Sequence, residues 1–219
     1  KPYNMVVHPG HGNYTGTVVN ALAYYLQQKS DNKELLPRIG LVHRIDKDTT
    51  GLLVVGKNEK AVLHLSNQFM EHTVNRRYHA LVWGDVEENE GTIDTYIGRH
   101  ERNRKVFTVY DKDEDKGKHA ITHYKVIERF NYVTLIECHT LFNDATYGGD
   151  RVLKGTVFSK YKSFVENCFA LCPRQALHAK TLGFIHPSTG KEMLFESEMP
   201  ADIQSVLDRW KIYVKAKGI

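Results

Sequence analysis

Arg38-Ile39-Gly40-Leu41-Val42-His43-Arg44-Ile45-Asp46-Lys47-Asp48-Thr49-Thr50-Gly51-Leu52-Leu53-Val54-Val55 sets two short apolar runs on either side of a loop crowded with cations and carboxylates. Residues 39–42 and 52–55 read as short buried strands. Rigid limbs around a polar turn are a common way to hold a reactive group still. The same residues also suit a surface turn laced with local ion pairs, which contribute little energy. The residues alone leave both readings open. The overlapping Gly51-Leu52-Leu53-Val54-Val55-Gly56-Lys57 has phosphate-loop spacing, but Asn58 stands where a Ser or Thr hydroxyl would meet magnesium. Bulky apolar residues between the glycines run straight rather than curl their amides round a phosphate, so a nucleotide hydrolase is set aside.

Outward from that stretch, helix and strand patterns follow one another. Val18, Leu22, Tyr25 and Leu26 recur at helical spacing after a Gly-rich turn at 9–16, and Val62, Leu65 and Phe69 mark a second helix capped by Asn58. Tyr78, Ala80 and Val82 alternate with His79, Leu81 and Trp83, as in a strand contacted on both faces. Residues 92–97, 106–110, 120–130 and 132–138 are rich in β-branched and aromatic side chains and read as strands, with a charged solvated loop at 111–118. Phe158, Tyr161 and Val165 suggest a third helix. Residues 177–185 and 192–196 form a hairpin around Pro187-Ser188-Thr189-Gly190, and a last helix through Ile203, Leu207, Trp210 and Val214 is entered at Pro200. The pattern is α+β, with a mixed, largely antiparallel central sheet and flanking helices. No repeat or flexible linker divides it, so one domain over residues 1–219 is the economical organisation.

Composition narrows the class further. With 219 residues, 41% hydrophobic and 11% aromatic, the chain can bury a real interior, which excludes wholesale disorder. No apolar run nears the roughly 20 residues that span a bilayer, and no secretory apolar region opens the chain. A cytoplasmic protein with no membrane association is expected. Three cysteines, Cys138, Cys168 and Cys172, suit a reducing compartment and exclude a disulfide scaffold. Twelve histidines invite a metal, yet no paired zinc spacing and no HExxH occurs, and Cys168 and Cys172 read as core packing. Nor is there a GxSxG elbow. Lys+Arg outnumber Asp+Glu by 30 to 26, a net charge of +4, which permits a nucleic-acid partner without requiring one. The start at Lys1-Pro2, without Met, points to a preceding segment.

A resemblance decides between the two readings of the central loop. His43-Arg44-Ile45-Asp46-Lys47-Asp48-Thr49-Thr50-Gly51 resembles the HRLDxxTSG motif of the RluA/RluD branch of RNA pseudouridine synthases. Further matches run in the family's order: Lys1-Pro2-Tyr3-Asn4, Arg77-Tyr78-His79-Ala80, Gly91-Thr92-Ile93-Asp94, Leu141-Phe142-Asn143-Asp144, Tyr147-Gly148-Gly149-Asp150, Gln175-Ala176-Leu177-His178-Ala179 and His186-Pro187-Ser188-Thr189-Gly190. Such an ordered set over nearly the whole chain is far more specific than any one motif.

The resemblance implies a cofactor-free, monomeric enzyme with a catalytic cleft crossing the sheet. It isomerises uridine in structured RNA, above all large-subunit ribosomal RNA. The base leaves the ribose, rotates and rejoins through C5. Asp46 matches the catalytic aspartate, as nucleophile at the sugar or as base toward C2′; either role needs an ionised carboxylate. Tyr78 matches the tyrosine that stacks on the flipped base and helps remove the C5 proton. Arg44 matches an arginine that takes the place of the extruded uridine, offsetting part of the unstacking cost. His43, Thr50 and His178 are further candidates for substrate contact, as are Arg99, Arg102, Arg104 and Lys105 in a basic run between two strands. Arg76, Lys116 and Lys118 are weaker ones.

The resemblance fails in one place. Relatives carry a segment like ETGRTHQIR, with the arginine that pairs with the catalytic aspartate, before the LFND stretch; here Cys138 is followed directly by His139. A loop missing from the sequence, with a chain break at Cys138/His139, is the preferred account. True deletion is the alternative; it would leave Asp46 without that cation and favour a catalytically silent RNA-binding homologue. A carboxylate-dependent sugar hydrolase ranks last, lacking a second acid. Asn4 replaces the family's glycine, and Asn tolerates the left-handed backbone such a turn needs.

Overall fold

The computed structural model describes residues 1–29, 40–102, 107–114, 116–140 and 159–218. These form two compact units, each using two stretches of chain: residues 1–76 with 179–198, and residues 77–178 with 199–219. The described residues hold eight strands and four helices in an α+β arrangement whose strand pairs are largely antiparallel, as expected.

In the first unit, helix α1 (Val18–Lys29) begins at a reciprocal cap: Asn20 Oδ1 accepts the Thr17 N–H at 2.9 Å and Thr17 Oγ1 accepts the Asn20 N–H at 3.2 Å. Its inner side joins Val7, Val19 and Leu41 in a small core with Leu22, Leu53 and Val55. Strand β1 is only Thr50–Gly51. Helix α2 (Glu59–Met70) is capped as expected, the Asn58 side chain accepting the Ala61 N–H at 2.9 Å, and buries Val62, Leu65 and Gln68. The Gln68 amide reads the end of a strand as a peptide group would: it donates to the Ile185 carbonyl at 2.9 Å and accepts the Ile185 N–H at 2.7 Å. Gln68→Leu keeps the volume but leaves those groups unmatched, and a loss of about 1–3 kcal/mol is expected in unfolding by denaturant. Asn4 adopts φ +59°, so the left-handed turn survives the loss of glycine.

Two strands straddle the division between units, β2 (Asn75–Trp83) and β7 (Leu177–Ile185). Strand β8 (Glu192–Glu196) returns antiparallel on β7 inside the first unit, pairing Leu182 with Phe195.

Among the described residues the second unit holds a five-stranded antiparallel sheet and two helices. Strands β3 (Glu90–Arg99), β4 (Phe107–Tyr110), β5 (Lys118–Arg129) and β6 (Val133–Thr140) join β2 in the order β2-β6-β5-β3-β4. Helices α3 (Ser159–Leu171) and α4 (Ala201–Lys217) bury Tyr161, Val165, Ile203, Leu207 and Trp210 against Val133, Leu135, Leu81 and Trp83. Cys168 and Cys172 lie in this core, and burial pushes their thiols up to about 11, which leaves them inert. Pro200 occupies the cap position of α4 rather than its first turn, with extended backbone.

One expectation needs correction. Residues 40–42 and 52–55 are not strands: among the described residues they share a single bridge, Leu41 with Val55. The backbone explains why. Leu52 N–H goes to the Ala179 carbonyl at 3.0 Å, Val54 N–H to a side chain, and only Gly56 N–H to the opposite limb, at the Gly40 carbonyl. Cys138 and His139, the join singled out from the sequence, stand next to each other in one strand. Both residues lie in β6, Cys138 opposite Tyr78 and Tyr124, His139 opposite Arg77 and His123.

Candidate active site

The loop singled out by sequence is built from its two limbs inward. Gly40 sits at φ +78°, where a β-carbon would collide with the Gly56 carbonyl, so glycine is what lets the limbs close. At the far end Gly51 (φ +113°) passes equally close to Ala179, and its N–H donates to the Lys1 carbonyl at 3.1 Å. Thr49 and Thr50 are buried beneath the turn, and Thr49 N–H closes it onto the Asp46 carbonyl at 3.2 Å. Lys1 braces the outside: its Nζ donates to the Lys47 and Met5 carbonyls, each at 2.8 Å.

Asp46 stands half-buried in this frame while Arg44 is exposed. Burial raises the Asp46 carboxyl above its ordinary value; the charges of Arg44 and Lys1 oppose the rise and Asp48 adds to it. The loop thus holds one carboxylate in partial desolvation with cations near enough to keep it usable. His43 is turned inward, its ring stacked on Phe69 with centroids 4.3 Å apart, and its Nε2 accepts the Val54 N–H at 3.0 Å. Arg76 lies over the same Phe69 ring, 5.5 Å from its centroid. Phe69 and Arg76 were not legible as partners of this loop, because their spacing from His43 has no local period.

Of the other candidates, Tyr78 lies in β2 and is 6% exposed, on the face opposite the one whose Leu81 and Trp83 meet the helices. His178, in β7, is buried as well. Arg99, the last residue of β3, and Arg102, just beyond the strand, are exposed, the Arg99 guanidinium 4.0 Å from the Phe107 ring centroid. Arg104 and Lys105 lie outside the described residues, as do the 141–144 and 147–150 motifs. Lys116 is engaged by Glu101 at 2.6 Å and Glu114 at 3.6 Å, which weakens its claim as a phosphate contact.

The RNA pseudouridylate synthase family matches residues 1–142. An uncharacterized RNA pseudouridine synthase of Chlorobaculum parvum is 38% identical over 235 residues, covering 99% of this chain and 72% of its own length. That stretch exceeds the 219 residues here, so the relative carries residues this chain lacks. The ribosomal large subunit pseudouridine synthase D of Nitrosomonas europaea is 42% identical over 219 residues, 94% of this chain and 60% of its own length. Both are longer than this chain. In fold, human RNA pseudouridylate synthase domain containing 4 superposes with a TM-score of 0.71 at 19% identity, over 96% of this chain and 88% of that one. A match over more than half the chain, joined to relatives aligned almost end to end, places this protein in the RNA pseudouridylate synthase family.

Proposed function

We propose that this protein isomerises uridine to pseudouridine in large-subunit ribosomal RNA, in the cytoplasm, with Asp46 as the catalytic carboxylate. The observation that carries the reading is the Asp46 loop itself, which bears a half-buried carboxylate and is held at its backbone by Lys1 and the Thr49 turn, within the residues the family matches. Departure of the base leaves the sugar electron-poor, and a carboxylate held beside it meets that need as nucleophile or as base. Arg44, exposed next to Asp46, suits insertion into the stack vacated by the uridine, where a planar guanidinium restores part of the stacking. Tyr78 is assigned to the base, through stacking and removal of the C5 proton; Thr50 supports the turn from below. Among the described residues no helix is long and apolar enough to cross a membrane.

The test is tritium release from ribosomal RNA labelled at uridine C5, comparing the parent with Asp46→Asn. Release by the parent alone supports the reading. RNA binding without release from either protein overturns it in favour of a silent binder.

Arg99 and Arg102 are read as phosphate-binding side chains. Replacing both by Ala is expected to weaken binding to all RNA sequences alike. The slope of log affinity against log salt should become shallower by roughly one for each phosphate no longer neutralised, in titrations over a salt series.

A further inference from the structure

The neck beneath Asp46 is closed by a side chain where a backbone rung would otherwise stand. Gly56 donates to the Gly40 carbonyl at 2.8 Å and Leu41 bridges Val55, the first steps of an antiparallel pair. At the next step the Val54 N–H turns instead to His43 Nε2, at 3.0 Å. The imidazole is pinned in turn, 16° from parallel to the Phe69 ring at 4.3 Å between centroids, and Arg76 holds its guanidinium 5.5 Å from that ring. Asp46 follows three residues later in the chain.

Resting on the reading of Asp46 as catalytic, we infer that His43 is a positioning residue for it. The imidazole, clamped between the Phe69 ring and the Val54 N–H, is the last rung that sets the width of the loop carrying the carboxylate. The sequence placed His43 among the RNA contacts, but its acceptor nitrogen and one face are already engaged. Accepting an N–H fixes the tautomer: Nε2 carries no proton, and Nδ1 carries the ring's single hydrogen. That Nδ1 is buried and finds no hydrogen-bond partner among the described residues. A second proton on Nε2 would set two N–H groups against each other and open the neck. Burial and the charge of Arg76 hold the imidazole down to about 3, so the rung persists through neutral pH.

A displacement of the reacting group by about 1 Å is enough to cost on the order of a hundredfold in rate. His43→Leu, which fills the space without an acceptor, is therefore expected to lower kcat about 10- to 100-fold while KM for the RNA stays within about threefold. His43→Gln can place Oε1 near the old Nε2 and should restore most of kcat. Equal losses in the two variants, or a loss confined to KM, overturn the inference; the latter would make His43 an RNA contact. The second measurement needs no activity. In the parent protein the imidazole nitrogen resonances should report the Nδ1–H tautomer without titration from about pH 5 to 9, and a titration in that window overturns the inference. Activity retained in Asp46→Asn would instead sink the catalytic reading, and the nitrogen spectra would still decide whether the rung exists.

Discussion

Asp46→Asn is expected to reduce tritium release from labelled RNA by about a thousandfold or more, because the amide can neither attack the sugar nor accept its proton. RNA affinity should hardly change, since Arg44 and the basic hairpin are untouched. Stability should not suffer either. A carboxylate whose pKa is raised in the folded state costs the fold once ionised, so the neutral amide is slightly stabilising at neutral pH and indifferent in acid. The same shift sets the pH dependence of the parent. Activity requires ionised Asp46, so kcat/KM falls with decreasing pH at a point above the ordinary aspartate range. The Arg44 charge is the largest influence opposing that rise; Arg44→Gln removes it and should carry the acid limb further up. An acid limb that fails to move in that variant, or a parent profile flat through the carboxylate range, would remove Asp46 from the chemistry.

What the sequence made legible was whatever has a local period or a local cap. The Val62–Leu65 spacing with Asn58 before it defines α2, and alternation in residues 120–130 and 132–138 defines the β5–β6 hairpin, whose tip Asn131 takes φ +67°. The central loop was legible through its motif, not through its limbs. Four apolar residues on each side read as strands, yet their amides are shared among Ala179, His43 and Gly40, partners that no periodicity announces. The α1 cap is hidden from pattern because Asn20 stands where Glu or Gln usually answers Thr17. His43 is hidden for a different reason. In a motif shared with RNA-modifying enzymes an imidazole reads as a ligand contact, and only the stack on Phe69 shows it facing inward.

Arg174 joins two distant parts of the second unit in a contact equally invisible to pattern, and its removal carries the largest stability effect expected in the molecule. Its side chain is 1% exposed and grips Asp202 with both arms of the fork, Nε to Oδ2 at 2.7 Å and Nη2 to Oδ1 at 2.9 Å. Nη1 also donates to the Gln175 carbonyl at 3.1 Å. The pair ties the first turn of α4 to the approach to β7. Arg174→Leu leaves the Asp202 carboxylate partly buried with its cation gone, and a loss of about 3–5 kcal/mol is expected by chemical denaturation. Arg174→Lys keeps the charge but not the fork and should recover only part of it. The double variant Arg174→Leu/Asp202→Leu should be more stable than Arg174→Leu alone, because no unpaired charge remains; additive losses would show the two side chains acting independently. Acid gives an independent check. Burial would raise the Asp202 carboxyl, but hydrogen bonds from Arg174 and the Ile203 N–H outweigh it and hold the group below its ordinary value. Its contribution is therefore complete above the unfolded aspartate pKa and vanishes as the pH falls through the lower folded value. The parent's stability should drop over that acid window, and the drop should be shallower in the double variant, which has no carboxylate left to protonate.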